Sequence, residues 1–193
     1  VVLAGGQSSR FGSNKALADW KGATLIEATV KSLLGVLPNV LIATKNVEAL
    51  CFLKTQRVGL IKDSFSEHHP LGGLHTAFQH LETPHAFICA CDMPFVQPTL
   101  IEALWAARAD YDAVIPVWQG MRQPMFGVYS KKCAGLVRSA IADGERGISS
   151  LFDSLRTRFF LEREINGVDP EGLSFMDIDT HEDYERLKPV KAP

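Results

Sequence analysis

The chain has 193 residues, which suits one domain of ordinary size. Apolar residues make up 46% and charged residues 22%, a globular composition that excludes a disordered tail, a collagen-like repeat and a coiled-coil rod. Lys and Arg number 20 against 22 Asp and Glu, so with a formal net charge of -2 no nucleic acid partner is expected and any phosphate site must be local.

No apolar run approaches the roughly 20 residues needed to cross a bilayer, and the start, VVLAGGQSSR, lacks a basic leader region. The expectation is a cytoplasmic protein with no membrane partner. Val1 already lies within an apolar run, so further residues upstream are expected. Four cysteines are too few to staple a chain that can build a core, so reduced thiols are expected. Cys89 and Cys91 lie two apart in FICACD and read as core residues on one face of a strand, without the spacing of a zinc pair.

Strand-like apolar runs occur at 1–4, 39–44, 58–62, 86–91, 113–117 and 125–129. Thr24 opens TLIE, a capping-box pattern, and apolar residues recur at helical spacing from there until Pro38. Further helices are predicted at 47–54, 73–81, 98–108, 131–142 and 182–188. Gln119-Gly120 reads as a turn, which puts an antiparallel hairpin within 113–129. The alternation predicts an α/β fold: a single Rossmann-like three-layer domain over 1–193, its sheet mostly parallel with a small antiparallel portion, expected at an edge. In such sheets ligands sit beyond the carboxyl ends of the strands.

The first such end is followed by Gly5-Gly6-Gln7-Ser8-Ser9-Arg10-Phe11-Gly12-Ser13-Asn14-Lys15. Paired glycines let several backbone N–H groups face an oxyanion, and Arg10 and Lys15 put two positive charges on the same loop. Arg grips phosphate oxygens in a fork while Lys acts as a mobile point charge. The plainer alternative is a surface turn with two solvated bases. The string is neither a Walker A loop nor a dinucleotide fingerprint.

Leu3-Ala4-Gly5-Gly6-x-Ser8-x-Arg10-x-Gly12-x-x-Lys15 resembles the signature loop of the molybdenum cofactor guanylyltransferases, within the nucleotidyltransferase superfamily. Asp63 after the third strand, PLGGL at 70–74, CDMPF at 91–95, Gln123-Pro124 with Tyr129, and FMDIDT at 175–180 follow in the family's order. The resemblance implies a nucleotide half at about 1–95 and an acceptor half at about 96–193. It implies Leu3, Ala4, Gly5, Gly6, Lys15, Asp63, Gly72, Gly73 and Asp92 as nucleotide contacts, and Arg10, Lys15 and Asp92 as catalytic groups. Asp92, with Asp179 as second ligand, would hold Mg²⁺, with Mn²⁺ as an alternative ion.

Each acid has a plainer reading beside this one. Asp92 before Met-Pro could cap a turn, Asp63 could form one, and Asp179 or Thr180 could cap the last helix. The stretch LSFMDI ahead of Asp179 reads as a short strand. Gly72-Gly73 could open a helix onto an anion or form a tight packing turn. Arg122, Gln123 and, more loosely, Arg146 match the acceptor side, although a single exposed arginine is usually only solvated.

The resemblance implies an enzyme that moves GMP from Mg·GTP to the phosphate of a molybdopterin-type cofactor, releasing pyrophosphate. Its further partners would be other cofactor-biosynthesis proteins and molybdoenzyme chaperones. Asp177 and Asp179 stand where guanylyl-transferring relatives more often carry Asn, and DIDT resembles the cytidylyl-transferring ones. Cytidylyl transfer to the same acceptor is therefore the first alternative, followed by another sugar-phosphate nucleotidyltransferase and then by a non-catalytic nucleotide-binding module.

Overall fold

The structure, a computed structural model, describes residues 1–5, 15–63, 65 and 69–190. Most of the glycine-rich loop, including Gly6 and Arg10, lies outside the described residues. The elements are β1 (Val2–Ala4), β2 (Asp19–Trp20), β3 (Ala23–Thr24), α1 (Leu25–Leu34), β4 (Val40–Thr44), β5 (Val58–Lys62), α2 (Pro70–His80) and β6 (His85–Ala90). They continue with α3 (Pro98–Ala106), β7 (Ala113–Trp118), β8 (Met121–Arg122), β9 (Phe126–Ser130), α4 (Ala134–Ala142), β10 (Thr157–Phe160), α5 (Glu162–Ile165) and α6 (His181–Leu187).

Among the described residues eight strands form one sheet in the order β10-β7-β9-β6-β1-β4-β5, with β8 paired to β7. Alternation along each strand sends side chains to two cores. Val2, Ile42, Phe87, Cys89, Val114 and Phe126 face the layer of α1 and α3, packing with Ile26, Leu33 and Leu104. Leu3, Ala43, Ile88, Ile115 and Tyr129 face α2 and α4, packing with Leu74, Phe78 and Val137. The result is the expected three-layer α/β domain with a mostly parallel sheet.

The antiparallel strand differs from expectation in its place. β9 pairs with both β6 and β7, so it lies inside the sheet. All five of its residues are buried, as an interior strand requires. The Gln119-Gly120 turn is as predicted, with both residues at positive φ (49° and 75°) joining β7 to β8. A second hairpin of the same kind, Lys21-Gly22 between β2 and β3, was not foreseen, because Lys is an unusual first residue for it.

Two further expectations are corrected. The segment 47–54 contains a 3₁₀ helix, Glu48–Leu53, in place of an α-helix. LSFMDI is not a strand: Leu173–Phe175 form a 3₁₀ turn. α2 starts three residues earlier than predicted, with Pro70 in the first turn, where its missing N–H costs nothing, and the His69 imidazole accepting from the Gly72 amide at 3.1 Å. No helix among the described residues is long and apolar enough to cross a membrane.

A third cluster of Trp20, Leu25, Phe95, Ile178, Tyr184 and Leu187 fastens the β2–β3 hairpin and α6 beside the end of β6. The two helices that meet there, α1 and α6, both begin with capping boxes. The Thr24 hydroxyl accepts from the Glu27 amide at 3.3 Å, and the Glu27 carboxylate accepts from the Thr24 amide at 2.6 Å. Thr180 and Asp183 repeat the exchange on α6.

The Thr24 amide, followed by its hydroxyl, holds the Glu27 carboxyl below the usual carboxylate range. A depressed folded pKa gives a stabilisation that is complete above the unfolded value, about 4.3, and is lost as pH falls through the folded value. Glu27→Gln is therefore expected to lower the melting temperature at neutral pH. Scans at descending pH should show the gap to wild type closing only below the ordinary carboxylate range, and a gap that widens on acidification would refute the assignment.

Candidate active site

Because β1, β4, β5, β6 and β7 run parallel, their carboxyl ends share one edge of the sheet. The chain leaves β1 toward β4 on one side and returns to β6 on the other, so a crevice opens where these connections diverge. Gly5, Lys45, Asp63 and Asp92 follow the four strand ends there.

Lys15 begins a short 3₁₀ turn whose next residue, Ala16, is buried in the core. Its Nζ lies 2.6 Å from Asp92 Oδ2 and 2.6 Å from Asp179 Oδ1. The sequence suggested an exposed loop charge, but Lys15 is only 8% exposed. Burial disfavours its charge, and Asp92 with Asp179 more than offsets this, so the ammonium pKa is raised. The other oxygen of Asp92, Oδ1, is buried with no hydrogen-bond partner among the described residues.

Asp92 is held from two sides. The Thr29 hydroxyl of α1 donates to the Cys91 carbonyl at 3.1 Å, and the Ile178 amide donates to the Asp92 carbonyl at 3.1 Å. The second bond lays the 177–179 segment beside the end of β6, which is how Asp179 reaches Lys15. Thr180 caps α6, which leaves Asp179 to the ion pair. Asp177 is exposed in surface area, and desolvation on its inner side, then Asp179 and Asp92, push its carboxyl up.

Spacing offered no signal for the residues that place this last segment. The buried Asp169 carboxylate accepts from the Leu173 and Ser174 amides, each at 2.9 Å, and the Ser174 hydroxyl accepts from the Gln97 amide at 2.9 Å. Gly172 adopts φ +61°, and a Cβ there would lie 2.2 Å from the Trp118 ring.

Asp63 is 5% exposed, and its carboxylate is turned inward. Oδ1 accepts from the Phe65 amide at 3.1 Å and the Thr76 hydroxyl at 3.3 Å, while Oδ2 lies 3.1 Å from Lys45 Nζ. A Cβ on Gly5 would stand 3.3 Å from that same Oδ2. Lys45, which strand-end logic could have singled out, also donates to the Phe65 carbonyl.

Leu3 is a core residue, and Ala4 is half-buried at the end of β1. Gly72 and Gly73 lie buried in the first turns of α2, where added Cβ atoms would meet Phe65 at 3.1 Å and Leu3 at 3.3 Å, so close packing accounts for both glycines. Arg122 and Gln123 follow the β7–β8 turn, with the Arg122 guanidinium 4.6 Å from the Phe159 ring centre. Arg146 is exposed and donates to the Gly144 carbonyl at 3.1 Å. The Tyr129 hydroxyl donates to the Pro124 carbonyl at 2.7 Å, which ties together two residues of one motif. Cys89 and Cys133 are thiols whose pKa burial pushes up to about 12, and Cys91 is raised further still.

The model of the MobA-like NTP transferase domain matches residues 1–159. The chain belongs to this family. Its members' fold and chemical class follow: the chain is a nucleotidyltransferase of the MobA-like type. The molybdenum cofactor guanylyltransferase of Desulfosudis oleivorans is 31% identical over 190 residues, covering 97% of this chain and 93% of the relative. A probable molybdenum cofactor guanylyltransferase of Bacillus licheniformis is 32% identical over 193 residues, covering 98% and 95%. The crystal structure of molybdopterin-guanine dinucleotide biosynthesis protein A from Archaeoglobus fulgidus superposes with a TM-score of 0.84 at 26% identity, covering 97% and 95%.

Asp169→Ala is expected to destabilise the protein by roughly 1–3 kcal/mol for each of the two amides it strands. Urea denaturation measures this, and a loss within error of zero would show that the 169–178 segment is placed by other contacts.

Proposed function

We propose that this MobA-like transferase moves a guanylyl group from GTP to the phosphate of a molybdopterin-type cofactor. The observation that carries the reading is the Lys15 ammonium set between Asp92 and Asp179 at the carboxyl edge, in a chain whose near-full-length relatives are named for that reaction. An oxygen of the acceptor phosphate attacks the α-phosphorus of GTP, the bond from that phosphorus to the oxygen bridging to the β-phosphate breaks, and pyrophosphate leaves. The acceptor needs no general base, since a phosphate monoester is largely ionised near neutral pH. What the protein supplies is placement and charge.

Asp92 and Asp179 are the residues that would hold Mg²⁺. Among the described residues no group of three or more His, Cys, Asp and Glu could hold a metal ion. Two carboxylates still fit a hard cation whose remaining ligands are phosphate oxygens and water, and these two already share one cationic atom, with Asp92 Oδ1 left unpartnered among the described residues. When bound, such an ion neutralises the triphosphate and the departing pyrophosphate. Lys15 faces the phosphates, a role the resemblance also assigns to Arg10 and Gly6 of the first loop, and Gly5 brings the backbone close to the nucleoside. Asp63 acts through the residues it fixes, Lys45 and the strand ends around Gly5. Arg122 and Gln123, and Arg146 more loosely, serve the acceptor side.

In DIDT, which resembles cytidylyl-transferring relatives, one acid has a use independent of the base: Asp179 balances Lys15. Guanine is therefore the base this reading favours. Buried polar groups left unpaired by a wrong base cost about 1–3 kcal/mol each, so GTP is expected to bind roughly tenfold or more tightly than CTP or ATP. Calorimetric titration with the four nucleoside triphosphates and Mg²⁺ tests this, and a CTP preference would replace guanylyl by cytidylyl transfer.

Lys15→Ala is expected to reduce turnover by about 10²-fold or more while the circular dichroism spectrum is retained. Near wild-type pyrophosphate release by a folded Lys15→Ala protein would remove Lys15 from the reaction.

A further inference from the structure

Lys15 occupies one oxygen of each carboxylate that would hold a metal ion. Its Nζ is 2.6 Å from one oxygen of Asp92 and 2.6 Å from one oxygen of Asp179. Mg²⁺ binds oxygen at about 2.0–2.1 Å, so an ion touching those two atoms would lie within a few ångströms of the ammonium nitrogen and compete with it for the same two oxygens. Two cations that close repel, and the repulsion between them is strongest where water is scarce. The Lys15 side chain is 10% exposed and that of Asp92 18%, so little water reaches that contact, whereas the Asp179 side chain is 51% exposed and forms the open side of the site.

We propose that Lys15 is a built-in counter-cation that keeps divalent metal off the Asp92–Asp179 pair until a nucleotide triphosphate draws the ammonium away. Metal and nucleotide then enter the site together. The proposal rests on the reading that these two carboxylates hold the metal.

The surroundings favour an occupied site over an empty one. Two carboxylates, Asp92 and Asp179, share one ammonium. Without a cation between them they would repel one another in a partly buried space. Lys15 fills the role in the free protein at the cost of holding two charge-assisted hydrogen bonds, which a metal ion alone must break. Its backbone is anchored by the neighbouring Ala16 in the core, and a four-carbon stem has the rotatable bonds to carry an ammonium from one set of anionic oxygens to another. A triphosphate arriving at the first loop offers the ammonium anionic oxygens in exchange. The free protein therefore resists bare metal, and the nucleotide removes the obstacle.

The test is a titration with Mn²⁺ followed by electron paramagnetic resonance, in the absence of nucleotide, on wild type, Lys15→Met and Lys15→Gln. Both variants are expected to bind one Mn²⁺ about tenfold more tightly than wild type or better. Adding Asp92→Asn to Lys15→Met should abolish the gain. A second measurement uses wild type alone and does not depend on the variants folding: the proton–nitrogen signal of the Lys15 ammonium should persist when Mg²⁺ is added at millimolar concentration and shift when GTP is added with it. Equal Mn²⁺ affinity in wild type and variants, or displacement of the Lys15 signal by Mg²⁺ alone, overturns the proposal and leaves the two-carboxylate metal site standing. Absence of Mn²⁺ at the Asp92 site in every protein, with GTP present as well as without it, overturns the metal-site reading and the proposal with it.

Discussion

An ammonium group shared by two carboxylates holds together parts of the chain that are far apart in sequence. Lys15 comes from the loop after the first strand, Asp92 from the end of β6 and Asp179 from the approach to the last helix. Nothing in local structure brings these together. The parallel sheet places two of them on one edge, and the third arrives because the Ile178 amide bonds the Asp92 carbonyl and Asp169 pins the turn before it. The cluster of Trp20, Phe95, Ile178 and Tyr184 then seals the junction with apolar surface.

Much of this was readable from residues alone, and the reasons are specific. The runs at 39–44, 58–62 and 113–117 are apolar and β-branched, so strands there follow from side-chain stiffness and burial, and the rule of strand ends leads directly to Asp63 and Asp92. The capping box at Thr24 is visible because its chemistry is contained in four consecutive residues. Long-range matters were not visible. The interior position of β9 depends on which strands it pairs with, and its own five residues do not encode that. The inward turn of Asp63 depends on Thr76 and Lys45, both remote in sequence, and the same holds for Asp169 with Gln97 and Ser174. Buried polar groups are assigned by their partners, and partners are a property of the fold.

The site also shows how a slightly acidic chain can prepare for a highly anionic substrate. The two lysines described at the crevice are each already paired with a carboxylate, Lys15 with Asp92 and Asp179, and Lys45 with Asp63. The positive charge is thus stored in neutralised form and kept from attracting anions at large. Specific binding then exchanges one set of charge-assisted hydrogen bonds for another, and the net gain is the difference between the two.

The 3.3 Å separation between Asp63 Oδ2 and the site of a Cβ on residue 5 has a bearing on redesign. A methyl group at position 5 must push that oxygen aside by a few tenths of an ångström, and the oxygen is itself tied to Lys45 while its twin is tied to Thr76 on α2. Positions 5 and 63 therefore form a single two-letter unit. A point change at position 5 will register the displaced acid as well as the added side chain, and a library that varies both positions together is needed to separate the two.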